Sequence, residues 1–332
     1  MVLAPIVLLA ASATFEESFR AGLVALQRND LVAAKSGLET ASKMNPGNAR
    51  VWIALAQTYR KVGDPRAAAM AVNKAEALGG KDPVVQSSLA IYWDEAGEPV
   101  KAADALARYS DLVPGREARE KAEAKYFEAG QPLLRESKFA EALAIFDAGA
   151  KRLKDSAQLE LGVGVAAYGL RRFDQAAAAF LRTIALQPEV PQPYLFLGRF
   201  LDQIPDRLAE VTSKFVEFEK ARPEDPSGYY LHAKALNIQA AEPELAVVLL
   251  KKALTLNDRD PAIHFEMGAV LDRTRRYEEA AAEFERSAEL APNDPAVHYR
   301  LARLYARLGK TEQARVERER HAGLEAAARA DK

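Results

Sequence analysis

Self-similarity at a period of about 34 residues constrains this chain more than any other feature. The block Trp52-x-x-Leu55-Ala56-x-x-Tyr59 is echoed by Tyr194-x-x-Leu197-Gly198-x-x-Leu201, by His264-x-x-Met267-Gly268-x-x-Leu271 and by His298-x-x-Leu301-Ala302-x-x-Tyr305. A second pattern follows each block, as in Phe173-Asp-Gln-Ala176-x3-Phe180 and Tyr277-Glu-Glu-Ala280-x3-Phe284. A proline closes five of the repeats, at Pro46, Pro114, Pro188, Pro226 and Pro292. Nine units can be placed, starting near residues 15, 49, 83, 123, 157, 191, 226, 261 and 295. A short unit cannot bury its apolar face alone, so neighbouring units must stack.

The eighth position of every unit is small: Gly22, Ala56, Ala90, Gly130, Gly164, Gly198, Ala233, Gly268 and Ala302. The twentieth reads Ala34, Ala68, Ala102, Ala142, Ala176, Ala246, Ala280 and Ala314, and only the sixth unit departs. Small residues at both places let two helices approach closely, and bulky residues at positions 4, 7, 11 and 24 fill the space beside the contact. This pattern resembles the tetratricopeptide repeat family, whose unit is a helix–turn–helix. The resemblance implies an all-α fold, a right-handed superhelical solenoid of antiparallel helix pairs, with helix A of each unit lining a concave groove.

The expected organisation is an apolar segment at 1–13, a tandem array over 15–310 and a capping helix with a frayed tail at 311–332. The array is expected to behave as one cooperative solenoid. Two places break the period. Gly115 to Ala122 are extra, and Arg116-Glu-Ala-Arg-Glu-Lys-Ala122 reads as a lengthened helix A. The sixth unit is expected to hold about four extra residues around Gln203-Ile-Pro205-Asp, with Pro205 beginning or breaking a helix and Lys214 near the missing Ala. The last segment begins like a helix B and turns polar at Arg315-Val-Glu-Arg-Glu-Arg-His321, as the exposed end of a stack requires.

The start, Met1 to Ala13, is an apolar run too short for a transmembrane helix but suited to the core of a signal peptide, with Ala11-Ser12-Ala13 as a cleavage pattern. Its positively charged flank is missing. The expectation is export to a periplasmic space with a mature start at Thr14; the alternative is a cytoplasmic protein with an apolar N-terminal cap. No later segment is long and apolar enough to span a bilayer, so no stable membrane span is expected once the signal is removed.

Composition narrows the chemistry. The chain has no cysteine, which excludes disulfides, thiolate metal sites and cysteine nucleophiles, and only four histidines. Its net charge of −1 argues against a general nucleic-acid binder. No serine-nucleophile motif, phosphate loop or catalytic carboxylate pair stands out, so no catalytic residue, metal or cofactor is expected. Gly162-x-Gly164 follows no strand and is not a phosphate loop. His264 and His298 share one repeat position with Trp52 and Tyr194, which reads as packing.

What the resemblance implies about function is a non-catalytic scaffold that holds a peptide segment or a partner helix in the groove. The alternative is an accessory or regulatory subunit of an envelope export or polysaccharide or pilus assembly machine. Positions 2, 5, 9 and 12 of helix A point into the groove in the family. Position 5 is almost wholly apolar or aromatic, including Phe19, Phe127, Leu161, Leu195, Tyr230, Phe265 and Tyr299; position 9 includes Arg199, Lys234 and Arg303; position 12 includes Arg60, Asp94, Tyr168, Asp202, Asn237 and Asp272. The candidate groove residues are therefore Phe127, Leu161, Leu195, Arg199, Tyr230, Lys234, Phe265, Tyr299 and Arg303. The alternative for position 5 is plain packing between neighbouring helices. The Lys and Asn clamp that some relatives use for a C-terminal carboxylate finds Phe19, Leu23, Ala54, Val84 and Ser88 here, which does not support it. Arg300, Arg303 and Arg307 share one helix face, with Arg273, Arg275 and Arg276 in the unit before. They read either as a dock for an acidic segment or, more simply, as a solvated face with Glu279 and Glu317 nearby.

Overall fold

A computed structural model describes residues 14–330. The expectations for 1–13 and for the last two residues lie outside them. Among the described residues there are eighteen α-helices and no strand. The first four units supply α1 (Phe15–Gln27) and α2 (Leu31–Met44), α3 (Ala49–Val62) and α4 (Pro65–Leu78), α5 (Pro83–Glu95) and α6 (Pro99–Leu112), and α7 (Arg116–Arg135) and α8 (Phe139–Arg152). Then come α9 (Ala157–Gly169) and α10 (Phe173–Leu186), α11 (Gln192–Arg199) and α12 (Leu208–Ala221), and α13 (Pro226–Ile238) and α14 (Pro243–Leu256). The last two pairs are α15 (Pro261–Arg273) with α16 (Tyr277–Leu290) and α17 (Pro295–Arg307) with α18 (Thr311–Ala330). The chain divides into two compact units at Gly162/Val163, within α9.

Helix starts follow from local chemistry. Asp64, Asp82, Asp225, Asp260 and Asp294 each accept a backbone N–H of the first turn through a side-chain oxygen, and a proline follows each. Asp satisfies an orphan donor there, and Pro at the first helical position loses no hydrogen bond. Thr14 and Glu17 form a reciprocal capping box on α1. The extra residues at 115–122 do lengthen helix A, giving a 20-residue α7.

The pairing rests on size complementarity. A Cβ on Gly130 would lie 2.5 Å from the Phe146 ring, one on Gly164 2.5 Å from Phe180, and one on Gly268 2.9 Å from Phe284. Each ring is fully buried. Position 24 therefore fills the hole that position 8 leaves. Where position 8 is Ala, as at Ala56, Ala90 and Ala233, position 24 holds Val72, Leu106 and Leu249, which are smaller than Phe.

The turn between helix A and helix B needs a left-handed residue at position 15. Asn29, Gly63, Gly97, Ser137, Arg171, Ala240, Arg275 and Gly309 all have φ between 53° and 85°. The sixth unit has Pro205 there, and a proline ring holds φ near −65°. The turn is rebuilt accordingly. Helix α11 stops after eight residues, two 3-10 turns follow at Leu201–Gln203 and Pro205–Arg207, and α12 then begins in register. The expectation of extra residues is corrected: the unit is one residue over period, and its helix A has unwound. Val211, fully buried, takes the inward position of α12, while Lys214 sits outside with Glu217 at 2.8 Å. Pro226 likewise does not close the sixth repeat; it opens α13, and Pro223 occupies the closing loop.

Candidate functional site

The candidate groove residues divide between the two units. In the first, Phe127 is half-buried with its ring 5.9 Å from Phe146, and Leu161 is half-buried. In the second, Leu195 and Tyr299 are 40% and 46% exposed, two of fourteen large apolar side chains exposed among the described residues. Tyr230 and Phe265 are half-buried against the apolar cluster built around Leu250, Met267 and Phe284, and Phe265 meets Phe284 edge-on at 5.4 Å. Position 5 thus packs inward at Phe127, Tyr230 and Phe265 and stands clear at Leu195 and Tyr299.

The basic residues at position 9 lie over aromatic rings. The Lys234 ammonium is 5.8 Å from the Tyr230 ring centre and the Arg303 guanidinium 5.6 Å from that of Tyr299, both pairs at i, i+4. Arg199 lies 5.1 Å over Phe196. A cation over a ring face is attracted by the ring's quadrupole, and the Tyr299 ring also meets that of His321 at 5.5 Å. Burial, with Glu266 and Asp260 nearby, pushes the Tyr230 phenol up, so its hydroxyl stays neutral at ordinary pH.

Position 12, which points into the groove in the family, is largely engaged within the array. Asn237 Nδ2 donates to Glu266 at 2.6 Å, tying α13 to α15. Arg307 pairs with Asp272 at 2.6 Å, tying α17 to α15. In the first unit Arg60 donates to the Glu95 carbonyl at 3.1 Å and Lys125 pairs with Asp94 at 2.5 Å. Tyr168 packs among Phe173, Phe196 and Phe200, and Asp202 accepts from Gln203. Four of the six position-12 groups join successive helices A and are spent.

Position 4 carries a device that reading by bulk alone misses. Trp52 donates to the Pro46 carbonyl at 2.7 Å, Gln86 to Gly79 at 3.0 Å, Tyr194 to Pro188 at 3.0 Å and Tyr229 to Pro223 at 3.2 Å. His264 Nε2 stands 3.0 Å from the Asp258 carbonyl, and His298 Nε2 2.8 Å from that of Pro292. Each side chain pins the start of its helix A to the loop before it. The recurring signal was a polar donor, N–H or O–H, at one position in six units. The other histidine nitrogens face carboxylates: His264 Nδ1 lies 2.7 Å from Glu283 and His298 Nδ1 2.5 Å from Glu317. Glu317 is consequently buried, which corrects its placement on a solvated face. Among the described residues no cluster of three or more His, Asp or Glu could hold a metal ion. No helix there is long and apolar enough to cross a membrane.

Two tetratricopeptide repeat models match the sequence, one over residues 25–92, 237–298 and 273–317, the other over 127–203. The chain belongs to the tetratricopeptide repeat family. Such repeats generally form non-catalytic interaction scaffolds, and a protein-interaction role follows for this chain. Among solved structures it is similar to a thermophilic tetratricopeptide protein of Thermus thermophilus, TTC0263, at 23% identity over 51% of this chain and 98% of that one, with a TM-score of 0.44. It is also similar to MamA of Desulfovibrio magneticus RS-1, at 22% identity over 51% of this chain and 94% of that one, with a TM-score of 0.44. Cut9 in the APC/C hetero-tetramer with Hcn1 aligns over 93% of this chain and 73% of that one, at 13% identity and a TM-score of 0.48. No curated protein sequence matches the chain.

Proposed function

We propose that the helices A of the second unit hold an extended peptide or a helix of a partner protein, with Tyr299, Phe265, Tyr230 and Leu195 as apolar contacts and Arg303, Lys234 and Arg199 beside them. One observation carries this reading: Tyr299 stands 46% exposed on α17, with Arg303 over its ring. A partner that covers an apolar side chain already half-buried gains about 1 kcal/mol, roughly half the value for full burial. Aromatic and Arg anchors commonly dominate such interfaces.

The test is capture of the native partner by the double variant Phe265→Glu, Tyr299→Glu. Capture is expected to be lost while helicity and melting temperature fall far less than after Ala280→Leu. Ala280→Leu is the control, because Ala280 is fully buried in the pairing contact and its change attacks the fold instead. A folded double variant that still captures the partner overturns the reading. Export is a separate proposal resting on the composition of residues 1–13. Protein recovered from its native cell is expected to begin at Thr14 by intact mass; a full-length species retaining Val2 to Ala13 refutes it.

A further inference from the structure

The second unit carries an uneven charge distribution on the same face. A cleft of about 560 Å³ opens over α13, α15 and α17, lined in part by Arg273, Arg275, Arg300 and Arg307. Lys234 and Arg303 stand on the same helices, at the groove position one turn after Tyr230 and Tyr299. Among the described residues, Asp272 lines the cleft and Glu266 lies within the field of Lys234, Arg300 and Arg273. Asp272 is held by Arg307 at 2.6 Å. Glu266 is buried, with its Oε1 taken by Asn237 at 2.6 Å. Arg273, Arg275 and Arg300 pair with no carboxylate among the described residues; the first and last act on Glu266 only through their field. Elsewhere some arginines pair, as Arg276 does with Glu279 and Arg315 with Glu312 and Glu319, and others stand singly without a carboxylate among the described residues, as Arg20, Arg66 and Arg172 do. What sets Arg273, Arg275 and Arg300 apart is that they gather around one cleft.

We infer that this cleft receives an acidic segment of the partner, whose side-chain carboxylates bond to Arg273, Arg300 and Arg303 while intervening apolar residues lie on Tyr299 and Phe265. The inference rests on the groove reading above and gives its occupant a chemistry. Guanidinium forks match carboxylates with paired, charge-assisted hydrogen bonds, which is more than a point charge offers. The exposed Tyr299 and the half-buried Phe265 beside them supply the apolar contact. A nucleic acid fits less well. Its backbone asks for a run of cations along a stripe, whereas Arg273, Arg275, Arg300 and Arg307 gather at one cleft edged by Asp272, on a chain whose net charge is −1.

The experiment uses the whole chain and three fluorescent probes: a short peptide of Glu and Leu, its counterpart with Gln at every Glu, and a single-stranded oligouridylate. Binding is read by anisotropy at low salt and at about 0.2 M salt, where exposed charges are screened beyond roughly 8 Å. The Glu peptide is expected to bind about tenfold tighter than the Gln peptide at low salt, with the advantage shrinking at high salt. The double variant Arg300→Gln, Arg303→Gln should bring the Glu peptide down to the level of the Gln peptide measured on the same variant. Arg273→Gln alone should give part of that loss. Equal binding of the two peptides overturns the acidic partner. So does a Glu preference that survives the double variant, tighter binding of the oligouridylate, or no binding of either peptide. The groove reading fails separately: it falls if Phe265→Glu, Tyr299→Glu leaves Gln-peptide binding intact, and stands if that binding is lost whatever the Glu preference.

Discussion

The sixth and eighth repeats share one ground plan and solve it differently. In the eighth, helix A runs its full length, Arg275 takes φ 63° in the turn, and Phe284 fills the hole at Gly268. In the sixth, Pro205 denies the turn its left-handed residue, helix A stops at Arg199, and the hole at Gly198 is met by the tip of Leu231 from the following helix A. The unwound stretch is no loose loop. Phe200, Leu201 and Ile204 are buried, and Phe200 stacks on Phe173 at 5.4 Å. Position 4 works alike in both, through Tyr194 and His264. The lesson is that the array tolerates a lost helical turn if apolar side chains plug the gap, because what it must conserve is the filled contact between helices.

That comparison can be broken most forcefully by moving the proline. Arg275→Pro places a proline at position 15 of the eighth repeat, where the native φ is positive and the backbone N–H donates to the Asp272 carbonyl at 3.1 Å. A loss of about 2–4 kcal/mol is expected from the denaturant midpoint, since the eighth repeat lacks the aromatic plug of the sixth. A near-neutral result would show that position 15 does not dictate the turn.

Next in size is the pair Gly268→Ala and Gly198→Ala. The new methyl at 268 meets three ring atoms of Phe284 at 2.9–3.0 Å, and a buried ring cannot step aside, so about 1–3 kcal/mol is lost. At 198 the close neighbour is one Leu231 methyl at 2.3 Å, which can rotate away. There the helix-propensity gain of Ala over Gly, about 1 kcal/mol, offsets the crowding. Equal losses at the two sites would contradict the account of how the holes are filled.

Much of this was legible in the sequence. The small residues at position 8 announce the close contacts and the charged run at Arg116–Ala122 announces the long α7, whereas Pro226 reads as closing a repeat until the structure shows it opening α13 after Asp225. Pro205 was legible as a break, but not as a missing left-handed residue, because the requirement at position 15 shows only when Asn29, Ser137, Arg171 and Arg275 are seen sharing one conformation with the glycines. The ties Asn237–Glu266 and Arg307–Asp272 and the burial of Glu317 were hidden for another reason. They depend on how one helix crosses the next, which no local pattern encodes.

Two smaller effects sharpen the comparison. Arg275→Gly should stabilise the eighth repeat by about 0.5–1 kcal/mol by relieving left-handed strain, a gain with no counterpart in the sixth. Glu266→Gln tests the polar tie beside it. Burial raises the Glu266 carboxyl above its usual range, opposed by the bond from Asn237 and the charges of Lys234, Arg300 and Arg273. A carboxyl raised in the folded state weakens that state once pH climbs through the raised value. The Gln variant, which can still accept from Asn237, should therefore melt higher than wild type near pH 7, and the difference should vanish toward pH 4. A variant that melts lower at pH 7 would mean that the ionised carboxylate is worth more to its neighbours than its burial costs.

The claim that the second unit's groove is the working surface is tested most directly by placing a photoreactive residue at Tyr299 on α17 and, in a separate protein, at Val248 on α14, two exposed positions on different helices. After irradiation in the native cell, the account predicts one discrete crosslinked partner from position 299, mapping to a single acidic segment of that partner, and none above background from position 248. The same partner captured from Val248 and not from Tyr299 would contradict it.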